Sequence, residues 1–180
     1  MTDWTIADIP PLGGRTAVIT GATGGLGYET ARALAGAGAL VVLTGRNETK
    51  GRNAIQKISG QFPHAKVSYE TLDLANLASV ADFAERFAAA HQSLDLLINN
   101  AGVMALPTRQ TTSDGFEMQF GTNYLGHYAL TARLLTWLRR GNQPRVVNLS
   151  RVKTQLTMLR FNGLVNRIGG PTDAGELVLV

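Results

Sequence analysis

The stretch Thr16-Ala17-Val18-Ile19-Thr20-Gly21-Ala22-Thr23-Gly24-Gly25-Leu26-Gly27 decides the fold. Its first five residues form an apolar run with strong β tendency. Beyond it, Tyr28, Ala31, Leu34 and Ala35 recur at helical spacing. Strand, glycine turn, helix is the context that a dinucleotide-binding loop requires. Gly21 lets the chain leave the strand in a tight turn. Gly25 and Gly27 lack Cβ, so backbone can approach a pyrophosphate and the helix can pack close to the sheet. The helix N-terminus offers unpaired N–H groups and a partial positive charge. Candidate contacts are Gly21, Thr23, Gly24, Gly25, Leu26 and Gly27. A plain glycine-rich turn between a buried strand and a buried helix is the alternative, since single glycine patterns are weak.

The second strand, Leu40 to Thr44, is nearly all apolar, as in a parallel sheet covered on both faces. It ends at Gly45-Arg46-Asn47. At this point of a dinucleotide fold an acid binds the 2′-hydroxyl of NAD, whereas an Arg accommodates the 2′-phosphate of NADP. The acid is missing here, and Arg46 is a bidentate phosphate partner. The residues favour NADP(H) over NAD(H), with Arg46 and Asn47 as contacts; the alternative for Arg46 is an ordinary surface loop residue.

The chain continues in alternation. A helix from Glu48 to Ser59 closes at Gly60 and Pro63. A third strand runs from Lys66 to Leu72 and ends at Asp73-Leu74. Asp73 could accept a hydrogen bond from an adenine amino group or cap the next helix, Leu77 to His91. His91 suits the C-terminal end of that helix dipole. The fourth strand, Leu94 to Ile98, runs into Asn99-Asn100-Ala101-Gly102, small residues where a ligand can reach backbone. Asn100, Ala101 and Gly102 join the candidate set. A long helix is expected from Asp114 to Arg140, with Phe116, Phe120, Tyr124, His127, Leu130, Leu134, Leu135 and Leu138 along an apolar side. Asn123, unfavourable by propensity in a helix interior, needs a buried hydrogen bond or a functional role to compensate. His127, one turn on, reads as a neutral, satisfied core histidine. The fifth strand is Arg145 to Leu149, followed by Ser150. Five alternations predict an α/β fold, a doubly wound parallel sheet (Rossmann fold) in strand order 3-2-1-4-5.

Composition sets the boundaries. The chain has 180 residues, one ordinary domain, and 44% apolar residues. It contains no Cys, so disulfide and thiolate chemistry are excluded. The N-terminus does not read as a secretory signal, and no apolar run approaches the ~20 residues of a membrane span. A cytoplasmic protein without membrane partners is expected, and no metal site is expected. Net charge is +4, but residues 1–132 carry nine Lys/Arg against eleven Asp/Glu, while residues 133–180 carry eight against two. The basic residues of that last quarter are scattered, with only Trp137 and Phe161 as aromatics, so nucleic acid is not an expected partner.

Together these motifs resemble the short-chain dehydrogenase/reductase family. Thr20-Gly21-x-x-x-Gly25-x-Gly27 is similar to its cofactor loop, and Asp73 matches its adenine-side Asp. Asn99-Asn100-Ala101-Gly102 resembles the signature after its fourth strand. Asn123 in Thr122-Asn123-Tyr124-Leu125-Gly126-His127 falls where the family keeps a catalytic Asn, and Arg145 to Ser150 resembles its fifth strand. The subtype resembles the retinol-dehydrogenase-like branch. The resemblance implies NADP-dependent hydride transfer between nicotinamide and a small carbonyl or alcohol. It also implies a Ser that polarises the substrate oxygen, a Tyr that moves its proton, a Lys four residues on that lowers the Tyr pKa, and an Asn that holds a relay water.

After Ser150 the pattern breaks. The expected Ser-Ser pair reads Ser150-Arg151, no Tyr follows Tyr128, and Lys153 is the last Lys. Of the catalytic set only Asn123 carries over. Residues 1–150 read as an incomplete dinucleotide-binding domain and residues 151–180 as an aberrant, poorly ordered tail. The family's further strands are missing, which leaves the fifth strand as a bare apolar edge. The genetic code allows the tail to be a frame-shifted family sequence. Arg160 to Gly163 can be read one base out of frame as V-Q-W, and Asn166 to Leu177 as S-D-R-R-T-Y-R-R-W-R-A. A chain that binds dinucleotide without turnover is expected, and its oligomeric state is open. The other candidates are a non-catalytic module that binds dinucleotide or a partner protein, and a methyltransferase. Gly45-Arg46 speaks against the methyltransferase, which wants an acid there.

Overall fold

The computed structural model describes residues 5–150 and the backbone of Val178 and Leu179. Six parallel strands form one sheet: β1 (Thr16–Ile19), β2 (Leu40–Gly45), β3 (Lys66–Thr71), β4 (Leu96–Asn99), β5 (Arg145–Asn148) and β6 (Val178–Leu179). Their order is β3-β2-β1-β4-β5-β6, so the first five strands take the order expected from the sequence. The chain winds outward from β1 in both directions. The crossovers through the first two helices, toward β3, therefore lie on one face of the sheet, and those on the way to β4 and β5 lie on the other.

Alternation along the strands builds two cores. Ala17, Ile19, Val41, Leu43 and Ile98 meet Ala31 and Ala35 of α1 (Gly25–Gly36) and Ala54 and Ile58 of α2 (Glu48–Gln61). On the other face Val18, Val42, Leu97 and Val146 meet Val80, Phe83 and Phe87 of α3 (Leu77–Ala90). Leu130, Leu134 and Leu138 of the last helix complete that layer. Burial of both faces is why β1 and β2 read as continuous apolar runs.

Several boundaries differ from expectation, each for a local reason. Gly60 does not close α2. The helix runs to Gln61 and stops at Phe62, whose ring packs over Gly36 of α1. Asp73 does not cap α3; Asn76 does, its Oδ1 accepting from the amides of Ala78 and Ser79 at 2.9 and 3.2 Å. His91 is the C-cap residue of α3. It stacks on Phe87 with ring centroids 4.4 Å apart, and burial lowers its pKa from the ordinary 6.5.

The long helix begins at Met118 rather than Asp114. Gly115 has φ +84°, and Thr111 pairs with Glu117 in an antiparallel bridge. The Glu117 carboxylate then caps the helix, accepting from Gln119 and Phe120. The helix comprises α4 (Met118–Phe120), a π-helical turn (Gly121–Gly126) and α5 (His127–Leu138). Its buried stripe is His127, Leu130, Leu134 and Leu138, whereas Phe116, Phe120, Tyr124 and Tyr128 are exposed.

Beyond the five expected strands, the described residues add one short pairing at the β5 edge. Val178 and Leu179 pair in parallel with Arg145 and Val146. They come from the β-branched, apolar run at residues 177–180, which suits an added strand. The remaining expectations for residues 151–177 and 180, including their poor order, fall outside the described residues.

Candidate dinucleotide site

The glycines of the first loop divide the work. Gly21 has φ +64°, and a Cβ there would lie 3.0 Å from Ala101 Cα. Only glycine takes that turn without strain. A Cβ on Gly27 would lie 2.7 Å from the Gly21 carbonyl and would overlap the Asn100 amide, so Gly27 lets α1 close onto the loop. Gly24 and Gly25 differ: an added Cβ meets nothing within 4 Å. Open space therefore lies before their backbone, at the N-terminus of α1. That is the arrangement a pyrophosphate fits, with N–H groups and the helix dipole facing it. Leu26 points outward and is 71% exposed.

Thr20 ties the loop to the end of β4. Its Oγ1 accepts the amides of Asn100 and Ala101, each at 2.9 Å. The Asn100 side chain donates to the Thr20 carbonyl at 2.8 Å. Asn100 is thus committed to holding the loop, and Ala101 and Gly102 present backbone to the cleft. Asn99 donates to Asn148 Oδ1 at 2.8 Å, which joins the ends of β4 and β5.

On the other side, Arg46 is exposed and has no partner among the described residues. A Cβ on Gly45 would lie 3.1 Å from Thr23 Cγ2. Thr23 therefore crowds the position where an acid would stand. Asn47 is the N-cap of α2, its Oδ1 accepting from Lys50 at 2.9 Å. Asp73 Oδ1 accepts from Ala75 at 3.0 Å in a local turn.

A cleft of about 300 Å³ runs along the carboxyl ends of the strands. It brings together Gly21, Thr23, Arg46, Asp73, Leu74, Asn100, Ala101 and Gly102 from the sequence-derived set. Gly24, Gly25, Leu26 and Gly27 belong to the adjoining helix start, and Asn47 and Asn123 do not line it. Thr44, Leu72, Val103 and Thr122 also line the cleft and were not singled out from the sequence. Thr44 and Leu72 could have been marked only by their place at strand ends, Val103 by the loop after β4, and Thr122 by its place beside Asn123.

Asn123 sits in the π-helical turn, a feature frequent at functional sites. Its side chain clamps one residue of the cleft wall. Oδ1 accepts from the Val103 amide at 2.8 Å, and Nδ2 donates to the Val103 carbonyl at 2.9 Å. That pair of bonds compensates the poor helix propensity of Asn. His127 is buried, as expected, and its nitrogens meet the Asn123 carbonyl and Thr20 Oγ1.

The sequence pattern of the short chain dehydrogenase family matches residues 15–162. The chain belongs to this family. The match runs past Ser150, where the sequence reading expects the resemblance to stop. Retinol dehydrogenase 12 of Mus musculus is 46% identical over 151 residues, covering 84% of this chain and 48% of that protein. Polyprenol dehydrogenase of Homo sapiens is 40% identical over 159 residues, covering 86% and 48%. These and similar relatives make the chain retinol-dehydrogenase-like. A crystal structure from Mycobacterium paratuberculosis superposes with a TM-score of 0.73 at 45% identity, covering 84% of this chain and 51% of that one. A metagenomic short-chain oxidoreductase in complex with NADP gives 0.71 at 29% identity, covering 81% and 67%. The chain spans about half the length of the curated relatives it matches.

Proposed function

We propose that this chain is the dinucleotide-binding half of a short-chain oxidoreductase, that it takes NADP(H) in preference to NAD(H), and that its 180 residues alone do not turn substrate over. The observation that carries the proposal is the open backbone at Gly24 and Gly25 beside a cleft whose far end holds the unpaired Arg46. The pyrophosphate would sit on the α1 N-terminus, and Arg46 would take the 2′-phosphate. Asp73, with one carboxylate oxygen in its local turn, would use the other on the adenine amino group. The NADP-bound relative supports the choice of cofactor.

A bound nicotinamide would supply or accept hydride at a carbonyl or alcohol carbon. Asn123, set in the wall next to Gly102 and Val103, would help position the reacting end. The proton donor is the missing part: no Tyr follows Tyr128, and Ser150 is followed by Arg151. The relatives' names point to an alcohol or aldehyde of a polyprenoid or retinoid as the substrate class of a full-length enzyme. Calorimetric titration with NADPH and NADH, beside a turnover assay with retinal, tests the proposal. It expects NADPH to bind more tightly and retinal not to be reduced.

A further inference from the structure

His127 is 6% exposed and lies between Thr20 of the cleft and the Asn123 turn. A buried imidazole is tolerated when both nitrogens are satisfied. Its Nδ1 is 2.9 Å from the Asn123 carbonyl oxygen, which can only accept, so Nδ1 carries the hydrogen. In the neutral ring Nε2 is then an acceptor. It lies 2.8 Å from Thr20 Oγ1, which therefore donates to it. The same Oγ1 accepts from the amides of Asn100 and Ala101 at 2.9 Å each, which uses its two lone pairs. The Ile98 carbonyl, at 3.4 Å, is a poorer alternative acceptor for that hydroxyl. Hydrogen bonding thus runs one way: Asn100 and Ala101 amides to Thr20, Thr20 to His127, His127 to Asn123. Burial also lowers the ring's pKa from the ordinary 6.5, in keeping with a neutral ring.

We infer that His127 is a positioning residue that, as the neutral Nδ1–H tautomer, fixes the Asn100–Gly102 wall of the dinucleotide cleft through Thr20 and couples that wall to the Asn123 turn. The inference rests on the dinucleotide-binding proposal. It assigns separate jobs to the two ring nitrogens, and two substitutions separate them. In H127Q the side-chain amide reaches the Nε2 position and can still accept from Thr20, but the bond to Asn123 is lost. In H127N the amide reaches only the Nδ1 position, so Thr20 loses its acceptor.

The experiment is titration of the full chain and both variants with NADPH. The expected result is affinity within about twofold of the parent for H127Q and a loss of about tenfold for H127N. Equal affinities in the two variants, with the parent binding normally, overturn the inference and leave the binding proposal standing. A parent that binds no NADPH overturns both. A measurement on the unmutated chain guards against variants that do not fold. ¹⁵N spectra of its histidines should show one ring with a protonated Nδ1 and a bare Nε2, and that ring should shift as NADPH is added. An Nε2–H tautomer, or a ring unmoved by saturating NADPH, contradicts the inference.

Discussion

The Tyr69 hydroxyl donates to the Gly45 carbonyl at 2.6 Å, and the same ring lies against Gly51 at the start of α2. One side chain of the edge strand β3 thereby anchors the end of β2, one residue before Arg46. Burial raises the Tyr69 pKa above its ordinary 10, so the hydroxyl stays protonated. Tyr69→Phe leaves the Gly45 carbonyl without this donor and should cost about 1 kcal/mol. Gly51→Ala pushes a methyl into the ring and should cost about 1–3 kcal/mol. Urea denaturation of each variant reads both values, and an unchanged midpoint for Gly51→Ala would contradict the packing described.

Cofactor choice should rest on Arg46. A charged hydrogen bond contributes roughly 1.5–3 kcal/mol, so NADPH should bind at least about tenfold more tightly than NADH. Arg46→Asp should remove that margin or reverse it. Dissociation constants for both dinucleotides, in parent and variant, check this; equal affinities in the parent refute it.

The Asn123 clamp on Val103 should count toward stability as well as toward the site. Asn123→Ala removes two hydrogen bonds and should cost about 1–3 kcal/mol. Asn123→Asp keeps the acceptor for the Val103 amide but sets a carboxylate oxygen against its carbonyl, so it should not restore stability. Chemical denaturation of the two variants distinguishes the outcomes, and a fully stable Asn123→Asp would show that Nδ2 contributes nothing.

Stability should fall as the solution is acidified. His127 and His91 both have folded-state pKa values lowered by burial. The unfolded chain then binds protons that the folded chain refuses, so their contribution is present above pH about 6.5 and is lost as pH falls toward the folded values. Melting temperature should drop between pH 7.5 and 5.5, and by less in H127Q. An equal drop in parent and variant would exclude His127 as a source.

The strands and the cofactor loop were legible because their signals are local. Apolar runs at residues 16–20 and 40–44 lead into Gly21 and Gly45, and the turn at Gly21 admits little else. Thr20 and His127 were not legible as a pair, because their bond joins residues 107 positions apart. Sequence marked His127 as buried and could not show what satisfied it. Asn123 was marked by its poor propensity, yet its partner, Val103, is an ordinary loop backbone. The helix start at Met118 is hidden from periodicity, because the apolar spacing runs on through Phe116 while the φ of +84° at Gly115 breaks the helix.

The sequence after Ser150 leads to a test on the gene itself. We expect that moving the frame by one base near codon 150 restores the Ser-Ser pair and a Tyr-x-x-x-Lys, and extends the chain. The nucleotide sequence decides it. An alternate frame that stops early, or that lacks the Tyr-x-x-x-Lys, sinks the idea.

The most direct measurement is calorimetric titration of the full chain with NADPH, followed by the same sample assayed with retinal. Saturable one-site binding, weaker by about tenfold for NADH, with no NADPH consumed on adding retinal, is the predicted result. Absence of binding would contradict an intact dinucleotide half, and steady NADPH oxidation would contradict a missing proton donor.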